Sequence, residues 1–474
     1  MTRRPSAFAR ARQAIARAIA PEYVRRFDGA AGGRRWDRGA HFGTTSTEAL
    51  AAAGPMRSRA RYFYNNNAHA RSGVEVLITH LVGTGISPAS KATDTEARTA
   101  LGTAWAAWQN VADADGRTDL AGVIALAVHG MIVDGDSLLH LIQTPRGLRV
   151  RAIPAEQLDE AKTADLGDGR YIVGGVEFAA DGTRAAYWIL PTKPTDVVTY
   201  APSIRILASD ILHLCAPVGI GQVRGVSWVA PVLLRLAEID GLEDALLTGF
   251  KVAALHAGFL IDQNGEAGMP YDGDQQGSLL TSGLEPGTLK RLPPGMDVKF
   301  NSPQQAQQST EYLQAQLRAV AAGLGVPEFM LTGDVSRANY SSLRAALIQF
   351  RATIERMQYT ILIPQVMRPL WERFVTSAIL SGGVDAPGFE ANMGDYLAAE
   401  FHPPAMPWVD PLKDVQATKE AIASGLMSRR QAVSALGWNI EELDAELAAD
   451  KAREESLGLQ FGSASEQNVN TTES

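Results

Sequence analysis

At 474 residues, with 46% apolar and 20% charged side chains, the chain has the composition of a globular protein of roughly two to four domains. Its formal charge of −8 is unevenly spread: residues 1–40 carry ten arginines against Glu22, Asp28 and Asp37, a net of +7 that leaves −15 for the remainder. The single Cys215 excludes an intrachain disulfide framework and a cysteine-built metal cluster, and no apolar run reaches the ~18 residues of a membrane span, so no membrane partner is expected.

The arginine-rich start reads as a basic arm that could meet nucleic acid or an acidic partner, rather than as a transit peptide. Residues 45–88 predict helices broken at Gly54-Pro55 and stopped by Gly83-Thr84-Gly85. Further helices are expected over about 94–111 and 120–131. Strands follow at 137–143, 149–154, 171–178, 184–191, 198–202 and 210–217, with Asp181-Gly182 marking a hairpin. Residues 40–225 therefore read as one α+β domain.

A long helix over 227–256 is predicted from the stripe Val229, Val232, Leu233, Leu236, Ile239, Leu242, Leu246 and Phe250, with Ser227 as its N-cap. The Gly-, Pro- and Asp-rich stretch 257–303 holds two strand-like pieces, 258–262 and 297–301, before a second helix over 304–323. The polar loop 333-GDVSRANY-340 leads into a helix over about 341–380 that Pro364 and Pro369 should kink or divide. A proline-rich link at 402–411 precedes two or three short helices over 411–450, and the tail from 455 is polar enough to be disordered.

Motifs for chemistry are missing. There is no GxxxxGK[ST], GxSxG or HExxH stretch, and the eight histidines lack ligand spacing. The Asp113/Asp115 turn has its glycine at the wrong position for an EF-hand. Asp134-Gly135-Asp136 could pair carboxylates on magnesium but reads as a structural turn. The run 62-YFYNNNAHAR-71 could suit single-stranded nucleic acid, but helix-surface packing with a short Asn turn is the preferred reading. No catalytic residue, metal site or cofactor is expected.

Several stretches resemble the lambda-type portal proteins of tailed bacteriophages. They are 82-VGTGISP-88, 222-QVRGVSWVAPVLLRLAEIDGLEDA-245, 251-KVAAL-255, 283-GLEPGTLKRLPPGMDVKF-300, 321-AAGLGVPEFMLTGDVSRANYSSLRAAL-347, 407-PWVDPLKD-414 and 425-GLMSRRQA-432. The resemblance implies an α+β portal fold with an α/β wing, a two-helix stem, a small β-rich clip, a tunnel loop and a helical crown. On that plan 1–40 is the arm, 41–225 the wing, 226–256 the first stem helix and 257–303 the clip. Residues 304–330 hold the second stem helix and a turn, and 331–341 the tunnel loop. A long helix and wing/crown connection follow at 342–401, then the crown at 402–454 and the tail at 455–474.

The implied function is non-enzymatic. Copies would close into a dodecameric ring at one capsid vertex, in virions assembled in the bacterial cytoplasm, through which double-stranded DNA is packaged and ejected. The tunnel loop, Val335, Ser336, Arg337, Ala338, Asn339 and Tyr340, would meet DNA without reading its sequence. Lys290, Arg291, Asp297 and Lys299 of the clip would dock the terminase large subunit and later a head-completion or adaptor protein. Major capsid and scaffold proteins are further implied partners. A nucleic-acid-processing enzyme and a capsid-associated scaffold or adaptor protein are the alternatives.

Overall fold

The structure is a computed structural model, which describes residues 43–191, 201–254, 258–260, 274–276, 279–281, 289–291, 305–336, 339–405 and 411–459. Helix α1 (Thr45–Asn66) runs straight through Pro55, against the predicted break. Proline removes one backbone donor there, and the carbonyl it frees belongs to Ala51 on an exposed face, where water can satisfy it. The break falls instead at Asn67, whose extended backbone and side-chain acceptor for the Ala70 N–H (2.9 Å) start α2 (Ala68–Val82). The Asn67 amide also donates to Asp240 (2.6 Å), fastening this corner to the long helix.

Strand β1 (Ser87–Ser90) is followed by α3 (Thr95–Gln109), capped by Asp94, and α4 (Leu120–Val133), capped by Asp119. Helix α4 is apolar almost all round, and nine of its residues are buried, so it serves as a core rod. Strands β2 (Asp136–Thr144) and β3 (Gly147–Ile153) pair antiparallel on it.

A separate antiparallel meander comprises β4 (Ala164–Gly167), β5 (Arg170–Val173), β6 (Val176–Phe178), β7 (Arg184–Ile189) and β8 (Ile204–Leu207). The single strand expected over 171–178 is really two. Gly174 (φ +55°) and Gly175 (φ +84°) turn the chain, and a Cβ on Gly175 would approach the Asp159 carbonyl to 2.8 Å. Asp181-Gly182 makes its hairpin as expected, closed by Ala179 N–H to Thr183 O (2.9 Å). Of the strand expected at 198–202, residues 201–202 lie in no strand and 198–200 fall outside the described residues; β8 begins at Ile204. Strand β9 (Ile211–Cys215) returns to β2 and completes the order β3-β2-β9.

A short 3-10 turn (Ala230–Val232) leads into α5 (Leu233–Ala254). Its root is buried through Val232, Leu233, Leu236 and Ile239, whereas Leu247 and Phe250 further along are each 51% exposed. Among the described residues, four short strands follow: β10 (Gly258–Leu260), β11 (Asp274–Gln276), β12 (Leu279–Thr281) and β13 (Leu289–Arg291). β10 pairs parallel with β13, and β11 antiparallel with β12. The expected strand at 297–301 lies outside the described residues.

Helix α6 (Gln305–Leu324) returns beside α5, where only a glycine fits: a Cβ on Gly323 would sit 2.4 Å from Val232 Cγ1. After α7 (Glu328–Thr332) comes α8 (Tyr340–Met357), which continues as a π-helical segment (Gln358–Met367) into α9 (Arg368–Leu380). Pro364 lies inside the π-segment, so the long helix is divided by a change of winding rather than by a gap. Helix α10 (Met393–Leu397) and β14 (Ala399–His402) come next, and β14 pairs antiparallel with β1, a link the sequence did not announce. Helices α11 (Pro411–Ala423), α12 (Arg429–Ala435) and α13 (Ile440–Leu457) close the described chain.

The main core joins α3, α4, α9 and the three-stranded sheet. Its centre is aromatic: Trp105 lies 4.9 Å from Trp108, 5.5 Å from Trp371 and 5.1 Å from Phe374, ring centre to ring centre. Trp371 is wholly buried and donates its indole N–H to the Leu397 carbonyl (3.0 Å). Truncating it leaves both a cavity and an unpaired carbonyl. Trp371→Ala should cost about 3–5 kcal/mol, read as a lowered midpoint in urea unfolding followed by circular dichroism.

Candidate functional site

The long helix α5 must be held at its root before anything along it can be positioned. The hold is a buried charge cluster between the 134–136 turn and the segment 222–229. Asp136 accepts from Arg224 Nε (2.5 Å) and Nη2 (3.1 Å), from the Gly225 N–H (3.2 Å) and from His213 Nε2 (3.3 Å). Arg224 is 2% exposed and spends its other donors on the carbonyls of Gly174 (3.4 Å) and Ala155 (3.2 Å) and on Glu160 (3.4 Å). Arg57, also buried, pairs with Glu160 from the α1 side. Arg61 grips both carboxylate oxygens of Asp134 (2.7 Å each) and also reaches Glu156 (2.6 Å).

Burial alone would raise the Asp136 carboxyl, but the Arg224 charge and the hydrogen bonds from His213 and Arg224 outweigh it and hold the group far below the usual carboxylate range. Burial pushes His213 down, only partly offset by Asp136. Arg184 donates to His213 Nδ1 (3.2 Å); a guanidinium cannot accept, so Nδ1 is the acceptor and Nε2 carries the proton toward Asp136. Both carboxylates of the 134–136 turn are thus engaged by arginines and serve the fold. Asp113 is similarly spent, accepting from the N–H groups of Asp115 (2.9 Å), Arg117 (2.7 Å) and Thr118 (3.1 Å).

Backbone contact completes the hold. A Cβ on Gly225 would overlap the Gly135 carbonyl oxygen at 1.8 Å. The Trp228 N–H (2.9 Å) and Ser227 Oγ (3.2 Å) both donate to the Ile132 carbonyl at the end of α4. Ser227 was expected to cap the long helix. Its hydroxyl instead accepts from Val229 N–H (3.2 Å), starting the 3-10 turn that precedes α5.

The polar loop lies between α7 and α8. Gly333 ends α7 in the left-handed conformation (φ +72°) that favours glycine. Asp334 then accepts the Ser336 N–H (2.9 Å), forming an Asx turn. Val335 is 57% exposed and Tyr340 50% exposed. Arg337 and Ala338 fall outside the described residues. Asn339 caps α8: its side-chain oxygen accepts the Ser342 N–H (2.8 Å), while its own N–H donates to Ser342 Oγ (3.2 Å). The helix therefore starts at Tyr340, one residue before the expected start.

Two of the four residues expected to dock partners, Lys290 and Arg291, lie adjacent in β13; Asp297 and Lys299 fall outside the described residues. In the 62–71 run only part is available to a ligand. Tyr62 is exposed, but Asn65 and Asn66 donate back to the carbonyls of Arg61 and Tyr62 (both 2.8 Å). Arg71 lies over the Tyr64 ring (5.5 Å) and Asn67 is buried as a cap.

A family model described as "Phage portal protein, lambda family" matches residues 33–358. The chain is 23% identical over 425 residues to a protein named as a probable portal protein of Halomonas phage phiHAP-1, covering 85% of this chain and 81% of that one. It is 21% identical over 328 residues to portal protein B of Escherichia phage lambda, 62% of this chain and 61% of the relative. A solved chain from the neck of a native GTA particle, computed with C12 symmetry, covers 84% of this chain and 94% of its own at 15% identity and a TM-score of 0.44.

The charge cluster sets a pH dependence. A carboxyl and a histidine that are both depressed on folding contribute stability above their unfolded values, about 3.9 and 6.5, and lose it as acid is added. Urea unfolding between pH 7 and pH 3 should show stability falling throughout. Asp136→Asn should cost about 3–5 kcal/mol at pH 7 by stranding Arg224, and should flatten the slope below pH 4. An unchanged slope in that variant would remove Asp136 from the cluster.

Proposed function

Since the chain belongs to the lambda family of phage portal proteins, we propose that copies of it close into a ring, a dodecamer, at one capsid vertex, and that double-stranded DNA is packaged and ejected through the bore. The observation that carries this reading is the family match, which runs from the N-terminal helices through the loop 333–340 into α8. The geometry of one protomer is consistent with it. Leu247 and Phe250 on α5 and Tyr312 on α6 each stand more than half exposed, apolar surface that neighbouring subunits would cover. On this plan α5 and α6 are the stem, the short strands between them belong to the clip, and α11–α13 form the crown.

A conduit must confine a polyanion without holding it, because every phosphate neutralised by a fixed cation adds a barrier to movement. The charge of −15 outside the first forty residues suits that task. Val335, Ser336, Asn339 and Tyr340, with Arg337 and Ala338, make a small polar segment that a ring would repeat around the duplex. The ring carries out no chemistry of its own and leaves ATP hydrolysis to the terminase large subunit. Lys290, Arg291, Asp297 and Lys299 dock that motor and later a head-completion or adaptor protein. The basic arm faces capsid and scaffold proteins.

Deleting residues 335–340 should leave rings intact while reducing packaged or retained DNA. Unchanged DNA-filled heads would refute the role of this segment. Changing Lys290, Arg291 and Lys299 together to Glu should abolish terminase binding in a pull-down but not ring assembly. Loss of rings instead would move these residues to the subunit interface.

A further inference from the structure

Residues 411–459 form a unit of three helices in which only Val433 is buried. Thirty-eight helical residues with one buried side chain cannot be held in place by an apolar core. Where this unit meets the rest of the protein, polar and backbone contacts stand beside the side chains of Leu436 and Trp438. Gly437 (φ +80°) packs against the Pro403–Ala405 backbone, and Arg98 reaches Glu441 (3.4 Å). The seam is loosely filled: a cavity of about 420 Å³ lies between Ser87–Ala89 and His402 on one side and Leu436–Asn439 on the other.

One contact in this seam leads directly to the channel segment. Arg344, in the first turns of α8, donates through Nη2 to Asp414 of α11 (3.1 Å). Through Nη1 it reaches the hydroxyl of Tyr340 (3.4 Å), the residue that ends the polar loop. Arg344 and Asp414 are 70 residues apart, and both lie in stretches that carried the family resemblance. At 37% and 23% side-chain exposure the pair is only partly shielded from water and salt.

We propose that Arg344 is a positioning residue: the Asp414–Arg344–Tyr340 chain sets the pose of Tyr340 and the start of α8 according to whether the C-terminal helices are docked. The consequence rests on the conduit reading, since it makes the C-terminal unit a regulator of the segment that meets DNA. The coupling itself does not, because it is a property of the folded chain. In it Arg344 draws Tyr340 toward Asp414. Release of α11 removes one of the anchors on the guanidinium and loosens the first turn of α8, leaving the Asn339–Ser342 cap in place.

Hydrogen–deuterium exchange on the full-length protein tests this. Asp414→Asn should raise exchange across α11 and, at a distance, in the first turn of α8 by about two- to fivefold, the scale of a partly exposed ion pair. The double exchange Arg344→Asp with Asp414→Arg should restore protection in α11 but not in the first turn of α8, because the shorter side chain at 344 no longer bridges to Tyr340, whereas a merely local packing role would leave both lost. Raising salt from 0.15 M to 1 M, which shortens the screening length from about 8 Å to about 3 Å, should reproduce the Asp414→Asn pattern. Faster exchange in α11 with unchanged exchange in α8 overturns the coupling. A chain that shows the coupled pattern yet fails to form rings keeps this inference and counts against the conduit instead.

Discussion

Everything that gives α5 its direction depends on one buried ion pair, Asp136 with Arg224. Taking both charges out of water is expensive, and a buried pair is by itself weak evidence of stability. Here the cost is met by saturation. Asp136 accepts four hydrogen bonds, and Arg224 donates to two carbonyls and to Glu160 besides its partner. Those partners come from 155–160, Gly174, His213 and Gly225, so the pair ties together the end of α4, the two sheets and the root of α5. Gly135 and Gly225 add a steric condition, since their backbones approach closer than any side chain would allow.

The rest of the fold follows from that root. With Ser227 and Trp228 tied to the end of α4, the stripe Val229–Ile239 turns into the core. The same helix then leaves the body with Leu247 and Phe250 exposed, a surface that one protomer leaves uncovered. The return helix α6 delivers the chain to Gly333 and the polar loop. In the proposed ring, these helices would stand behind a small hydrogen-bonded turn, which suits the proposed surface that touches DNA without gripping it.

Much of this was legible from residues. Helical periodicity located α5 closely, the second helix was read within a residue at each end of α6, Asp181-Gly182 gave its hairpin, and the 134–136 turn was read as structural. What escaped was long-range. Nothing local marks Arg224 as the partner of Asp136, 88 positions away, or β14 as the partner of β1. Local rules also misled where context outweighed them. Pro55 sits on an exposed helix face that tolerates a lost donor, and Gly174-Gly175 lies inside what looks like a continuous apolar strand. In the loop, the side-chain oxygen of Asn339 caps α8, a structural role not read from the sequence. The capping box was visible in principle, since Asn339 and Ser342 have the required spacing.

The central claim is that identical copies of this chain enclose a passage for duplex DNA. Electron microscopy of the purified full-length protein tests it most directly. The account predicts closed rings of a single subunit type with a central opening wide enough for a duplex, and with the Leu247–Phe250 face of α5 covered by the neighbouring copy. Monomers at every concentration and salt, or closed assemblies with no central opening, would contradict it.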